Sequence, residues 1–284
     1  PNVGKSTLLN HLVGMKISIV SHKVQTTRRR ILGMMIHDQT QLIFMDTPGI
    51  FTPKKRLDRA MVRAAWSAAQ EADVDVVMVD CTYPSLELVN NIIAQALKTS
   101  RCLYVVLNKI DEVEESVVSG LEAHIKNNIS EDRIRRISAM TGEGVKELVD
   151  SLVLELPNSP WLYPEDQVTD LPMRLMAADI TREKILERIH QEIPYDITVE
   201  TDQWETFKDG SAKISQTIHV RRTSQKAIVL GHQGRAIKDI SAKARLLMQD
   251  VFGMKVHLFI FVKVSEEWMD DPHFYHNEGL EFKS

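Results

Sequence analysis

Three short runs in the first half, Leu42–Met45, Val76–Val79 and Leu103–Leu107, are apolar at nearly every position. A strand with one wet face alternates apolar and polar residues. A continuous run marks a strand covered on both faces, as in a parallel sheet. Helical patterns lie near 57–72, 85–98, 116–129 and 144–156, with a further strand-like run at Ile134–Ile137. Strands alternating with helices predict an α/β doubly wound sheet. Such sheets bind ligands beyond the C-terminal ends of their strands. The residues that follow each run therefore deserve the closest reading.

The chain is long enough for this. It has 284 residues, 43% hydrophobic and 26% charged, so a sizeable core forms without covalent staples. Two cysteines, Cys81 and Cys102, make neither a disulfide framework nor a thiolate zinc site. This fits a reducing compartment. No apolar run approaches the ~20 residues of a membrane span, and the start carries no secretory signal. A cytoplasmic location is expected. The net charge of −4 excludes a global basic field. Yet residues 221–245, inside an acidic second half, hold seven Lys or Arg and one Asp.

The chain opens on Pro1-Asn2-Val3-Gly4-Lys5-Ser6-Thr7, without an initiating Met. Gly4-Lys5-Ser6 is the second half of a phosphate loop, G-x-x-x-x-G-K-[ST], so the sequence reads as a fragment lacking the feeding strand. In such a loop, backbone N–H groups at a helix start surround phosphate oxygens. Lys5 reaches the β and γ phosphates, and Ser6 places a hydroxyl on Mg²⁺. Alone, Gly4-Lys5-Ser6 reads equally as a helix start capped by Ser6.

After the first run comes Asp46-Thr47-Pro48-Gly49. Asp46 can hold a Mg²⁺ shell, and Gly49 lets its N–H approach a γ-phosphate. An ordinary turn has the same composition. After the third run comes Asn108-Lys109-Ile110-Asp111. A carboxylate there accepts from N1–H and the N2 amino group of guanine, a donor pair adenine lacks. Ser138-Ala139-Met140 follows Ile134–Ile137 and can offer an N–H to guanine O6. Gln25-Thr26-Thr27-Arg28 lies between the phosphate loop and Asp46, where Thr27 can close over Mg²⁺. Each segment is weak singly, but their order and settings are not. Together they resemble the GTPase family of P-loop proteins. That resemblance makes Lys5, Thr27 and Gly49 the catalytic set. Asn2, Val3, Gly4, Ser6, Thr7, Asp46, Asn108, Lys109, Asp111, Ser138, Ala139 and Met140 complete the nucleotide site. The metal would rest on Ser6, Thr27 and Asp46.

One position departs. Many small GTPases carry Gln after Asp-x-x-Gly to orient the attacking water; here it is Ile50. With Asn2 and Gln25–Arg28, the pattern is similar to the TrmE–Era–Obg branch. Several members of that branch bind K⁺ through the loop Asn. The resemblance makes Asn2 a K⁺ ligand, with bracing of the loop as the alternative.

Residues 157–172 hold four prolines and read as a linker. Beyond it the pattern changes. Ile185, Leu186, Ile189 and Ile193 form a helical stripe. Tyr195, Ile197 and Val199 alternate, as do Ile214, Ile218 and Val220 after an Asp209-Gly210 turn. Helices are expected over 224–230 and 235–251, and a final strand over Val256–Val264. The order α-β-β-α-α-β, with Gly231-His232-Gln233-Gly234 between the last helices, resembles a type II KH domain. Its GxxG loop grips a single-stranded nucleic-acid backbone. Lys226, Arg235, Lys238, Lys243 and Arg245 supply local charge. A helix–turn–helix with a solvated basic face has the same composition.

The expected architecture is a GTPase domain over 1–156, truncated at its start, a linker over 157–172, an α+β type II KH domain over 173–265 and a tail over 266–284. The tail, acidic with scattered aromatics, would pack against the KH sheet or reach RNA. The whole resembles the ribosome-assembly GTPases of the branch that carry a C-terminal KH domain. That resemblance implies a monomeric GTP/GDP switch that binds small-subunit rRNA near its 3′ end and assists the 30S subunit. It also implies peripheral inner-membrane association, which no residue demands. Two alternatives stay open: an RNA-binding assembly factor with nucleotide as structural ligand, and a Der-like GTPase whose KH-like domain binds protein.

Overall fold

The computed structural model describes residues 2–21, 23, 26–51, 53, 55–189 and 196–282. Pro1, Gln25, Ile193 and Tyr195 of the sequence reading lie outside them.

Helix α1 (Lys5–Val13) leads to a hairpin of β1 (Ile31–His37) and β2 (Thr40–Asp46). Then α2 (Arg56–Glu71), β3 (Asp75–Asp80), α3 (Leu86–Thr99), β4 (Leu103–Asn108), α4 (Glu115–Ile125), β5 (Ile134–Ile137) and α5 (Val145–Val153) alternate as the sequence implied. Strands β3, β4 and β5 are parallel, with β4 in the middle and buried at every position. The Leu42–Met45 run breaks the expectation: it pairs antiparallel with β1, Ile31 opposite Asp46 and His37 opposite Thr40. The sequence reading missed β1. Its connection is the two-residue Asp38-Gln39, with Asp38 at φ 54 and no glycine to announce it. Gly33 interrupts β1 because α1 packs there: an added Cβ would lie 2.5 Å from a Leu9 methyl.

Strands β2 and β3 belong to separate sheets. Between them lies a cavity of about 610 Å³, lined by Leu42 and Phe44 on one side and Val76 and Met78 on the other, over Leu8 and Leu12.

Residues 157–172 hold to the hairpin instead of hanging free. Trp161 Nε1 donates to the Gln39 carbonyl (3.1 Å), Met34 N to the Val168 carbonyl (2.8 Å) and Thr169 Oγ1 to the Leu32 carbonyl (2.7 Å).

The second half contains α6 (Met173–Arg188), β6 (Ile197–Thr206), β7 (Ala212–Val220), α7 (Thr223–Leu230), α8 (Arg235–Phe252) and β8 (Val256–Val264). Strand β7 pairs antiparallel with β6 and parallel with β8. Ile185, Ile197, Ile218, Val220, Val229 and Ile240 form its core. A second core crosses the boundary between the halves: Leu9, Ile17 and Ile31 pack with Met176, Ile180, Ile214 and Met248. Helix α6 is thus buried on both sides, which is why its charged Asp179, Arg182 and Glu183 are buried too. The chain closes with α9 (Pro272–Asn277), which Asp271 caps by accepting from His273 N. Among the described residues, no helix is long and apolar enough to cross a membrane.

Candidate functional site

Gly4 caps α1 at φ 94, a left-handed conformation that costs a side-chain-bearing residue about 1–2 kcal/mol. It needs glycine a second time, because a Cβ there would lie 2.2 Å from Asn108 Nδ2. The start of α1 therefore presents free N–H groups beside Lys5, the arrangement that binds anions. Among the described residues, Lys5 has no ion-pair partner.

Asp46 ends β2, and its Oδ2 collects three hydroxyls: Ser6 Oγ at 2.7 Å, Ser18 Oγ at 2.8 Å and Thr27 Oγ1 at 3.3 Å. Ser6 Oγ and Thr27 Oγ1 are 3.1 Å apart. Asp46 Oδ1 is buried with no hydrogen-bond partner among the described residues. A buried carboxylate oxygen facing inward, with two hydroxyls within reach, is an oxygen-donor set of the kind Mg²⁺ takes with substrate phosphates. Among the described residues, no group of three or more His, Cys, Asp or Glu could hold a metal. Ser18 was not legible in sequence. It arrives because Asn10 Oδ1 accepts from Ile17 N and Ser18 N, both at 2.9 Å, folding the loop after α1.

At the end of β4, Asn108 is buried. Its Nδ2 donates to the Val3 carbonyl (2.7 Å), and its Oδ1 accepts from Ala139 N (2.9 Å). It ties the phosphate loop, its own loop and the Ser138–Met140 loop together. Lys109 sits at φ 67 with its ammonium bonded to Asp80 at the end of β3. Burial alone would raise the Asp80 carboxyl, but the Lys109 and Thr82 bonds hold it below the usual range. Asp80 was also missed; its only signal is an acidic residue closing an apolar strand. Asp111 is exposed in a single helical turn, Ile110–Glu112. Ser138 and Ala139 are buried, whereas Met140 is exposed. Thr7 lies in the first turn of α1 and Gly49 beyond β2, both half-buried. Asn2 takes φ 61 within the phosphate-loop segment. The boxes thus meet along the C-terminal ends of β2, β4 and β5.

In the second half, Gly231 (φ 70) and Gly234 (φ 74) bracket a turn from α7 into α8, with Gln233 at φ 53 between them. A Cβ on Gly231 would lie 2.6 Å from the Ala236 Cβ. His232 and Gln233 are exposed at the tip, and Arg235 and Lys238 beside it; Lys226 is half-buried on α7. Lys243 and Arg245 stand apart, about 12–15 Å further along α8 at 1.5 Å per residue. Lys243 also pairs with Asp239 at 3.0 Å.

A nucleotide loop on a doubly wound sheet, continuous with an α-β-β-α-α-β domain carrying a GxxG turn, defines a P-loop GTPase joined to a KH domain. A family model described as a 50S ribosome-binding GTPase matches residues 1–109, and a KH domain model matches 192–269. GTPase Era of Mesorhizobium japonicum is 49% identical over 282 residues, covering 99% of this chain and 91% of that protein. GTPase Era of Agrobacterium fabrum is 50% identical, covering 99% and 89%. A crystal structure of Era with MgGDPNP and nucleotides 1506–1542 of 16S ribosomal RNA matches at TM-score 0.90 and 37% identity, covering 98% of this chain and 95% of that one. A variant of Aquifex aeolicus Era bound to GDP·AlF4⁻ matches at TM-score 0.90 and 38% identity, with the same coverage. The chain belongs to the Era family of GTPases.

Proposed function

We propose that GTP hydrolysis in the first domain sets the grip of the KH domain on single-stranded rRNA near the 3′ end of the small subunit, in the cytoplasm, during 30S assembly. The observation that carries this is the position of residues 27–29. Thr27 touches Asp46, while Arg28 and Arg29, directly after it, are buried with Asp179 and Arg182 of α6. One short segment belongs to the nucleotide site and to the domain boundary.

In this reading the α1 N-terminus and Lys5 bind the phosphates, and Asp111 reads guanine while Lys109 is held by Asp80. Ser6, Thr27 and Asp46 would hold Mg²⁺, which supplies positive charge to the β and γ phosphates when bound with nucleotide. Thr27 and the Gly49 N–H meet the γ-phosphate. Ile50 cannot orient water, so the chain's contribution is positioning and charge. Turnover is slow without a partner. Asn2 would lend its side-chain carbonyl to K⁺ as a further charge at the loop. Ordering of the segments near Thr27 and Gly49 by the γ-phosphate shifts the KH domain through Arg28 and Arg29. RNA phosphates approach the GxxG turn, drawn by Arg235, Lys238 and Lys226.

The test is GTP hydrolysis by the full-length protein in KCl and in NaCl, with and without a 3′-end 16S rRNA oligonucleotide. Stimulation by the oligonucleotide is expected, with KCl ahead of NaCl. Oligonucleotide binding with unchanged turnover refutes the coupling, and no binding refutes the KH assignment to RNA. Equal rates in both salts remove K⁺.

A further inference from the structure

After β8 the chain does not stay with its own sheet. Trp268, Met269, Tyr275 and Leu280 are buried in one cluster with Leu57, Ala60 and Met61 of α2, and Phe51 and Phe274 pack against it. Aromatic residues scattered through an acidic tail therefore form a further apolar core, shared with the nucleotide domain. The same segment is fastened to the KH side. Trp268 Nε1 donates to the Asp196 carbonyl (3.1 Å), Phe274 meets the His219 ring edge-on at 5.2 Å, and His273 Nε2 lies 3.5 Å from Glu200.

Its contacts on the nucleotide side fall at particular places. The Arg28 guanidinium lies over the Trp268 ring at 5.4 Å, and Arg29 Nε is 2.9 Å from Glu278 Oε2. These arginines directly follow Thr27. Phe51 stands two residues after Gly49. The two points assigned to the γ-phosphate are thus each within two residues of a contact with the C-terminal segment.

We propose that the C-terminal segment 268–280 is a positioning element for GTP hydrolysis, holding the loops that carry Thr27 and Gly49 through Arg28, Arg29 and Phe51 and fastening both to the KH domain. This rests on the assignment of Thr27 and Gly49 to the γ-phosphate. A tail that merely adds apolar burial would change stability and leave the chemical step alone. A positioning role makes a different demand. GDP has no γ-phosphate, so GDP affinity should be indifferent to the segment, while kcat should respond to it.

The experiment compares full-length protein with Trp268→Ala, Glu278→Gln and Trp268→Phe. Thermal unfolding, GDP affinity, and kcat and KM for GTP are measured with and without the 3′-end oligonucleotide. Trp268→Ala and Glu278→Gln should change oligonucleotide-free kcat at least threefold, with GDP affinity and KM within twofold of the parent. Trp268→Phe, which keeps a ring under Arg28, should restore kcat. Unchanged kcat in both disruptive variants overturns the proposal, as does a change in unfolding temperature with no change in kcat per folded molecule. If the parent ignores the oligonucleotide while the variants still change kcat, the positioning role stands and the coupling to RNA falls. If the parent responds and the variants respond equally at unchanged basal kcat, the coupling stands and the positioning role falls.

Discussion

Replacing Asp179 by Asn changes one charge and almost no volume, at the centre of the boundary between the domains. Asp179 Oδ1 lies 2.9 Å from Arg182 Nη2 and 3.8 Å from Arg29 Nη2. Arg28 is buried in the same cluster. Three guanidiniums face Asp179 and Glu278, so the variant leaves three buried cations against one carboxylate. Removing one partner of a buried ion pair costs about 3–5 kcal/mol. At roughly 2–4 °C per kcal/mol for a chain of this size, Tm should fall by about 6–20 °C. Burial alone would raise the Asp179 carboxyl, but Arg29 and Arg182 hold it below the usual carboxylate range. A depressed folded pKa stabilises the fold fully above the ordinary carboxylate value of about 4 and loses that contribution as pH falls through the folded value. Thermal melts of parent and variant should therefore converge on acidification. Adding Arg28→Met to Asp179→Asn removes the cation with no carboxylate within ion-pair distance and should recover part of the loss, a coupling of about 0.5–3 kcal/mol. A Tm for Asp179→Asn equal to the parent at neutral pH would refute the charge argument.

Three further outcomes follow from the sites. Asp111→Ala should lower GDP affinity by a factor on the order of 10² or more, as loss of a specific polar pair does, with Tm unchanged because Asp111 is exposed; equal GDP affinity by titration calorimetry would remove Asp111 from guanine recognition. Gly231→Ala, which must fit a Cβ 2.6 Å from Ala236 at φ 70, should weaken oligonucleotide binding at least tenfold while leaving GTP turnover without RNA unchanged; full affinity in a filter-binding assay would count against the turn as the RNA grip. Burial, with Lys263 nearby, pushes His219 below its usual value, although Glu200 and Asp202 oppose this. Its neutral form is the folded form, so stability is present above about pH 6.5 and is lost as pH falls through the depressed value. Ser265 and Phe274 also face this ring, and His273 shares Glu200 with it, so His219→Gln should flatten the dependence of Tm between pH 7.5 and 5.5, and an unaltered slope would assign it elsewhere.

Residues whose role follows from a strand end were legible in the sequence, and residues brought in by tertiary packing were not. Asp46 and Asn108 each close an apolar run, and Ser138 follows the short strand Ile134–Ile137, so periodicity and chemistry pointed to the same spots. Strand β1 was hidden because its turn is made by Asp38, without the glycine that usually marks a hairpin. The parallel pairing expected for Leu42–Met45 failed for a different reason: a continuous apolar run says nothing about direction. Ser18, in the loop after α1, and Asp80, at the end of β3, join these regions with no motif to mark them. The C-terminal segment misled most. Its acidic composition with scattered aromatics points to the KH sheet or to RNA, yet Trp268, Met269, Tyr275 and Leu280 pack on the nucleotide domain, spaced 1, 6 and 5 apart so that neither helical nor strand periodicity exposes them. Only the fold shows that α2 supplies their partner surface.

The acidic second half also constrains how RNA is held. With a net charge of −4 over the whole chain, long-range attraction is weak, and affinity must come from cations near the GxxG turn. Lys226, Arg235 and Lys238 are placed for this, whereas Lys243 is paired with Asp239. Three phosphates neutralised on a single strand give a slope of log affinity against log salt of about −2, a loss of about 20-fold between 50 and 200 mM salt. Each charge removal among the three should reduce that slope by about 0.7. A parent slope near −4, or a slope that Lys243→Gln reduces as much as Lys238→Gln does, would extend the binding path along α8 and overturn a grip confined to the turn. A small slope has a consequence for the switch. Where electrostatic attraction contributes little, backbone contacts made by the turn and stacking carry more of the affinity. Those are short-range and sensitive to how the KH domain is held, which is what a nucleotide-dependent shift at Arg28 and Arg29 can alter.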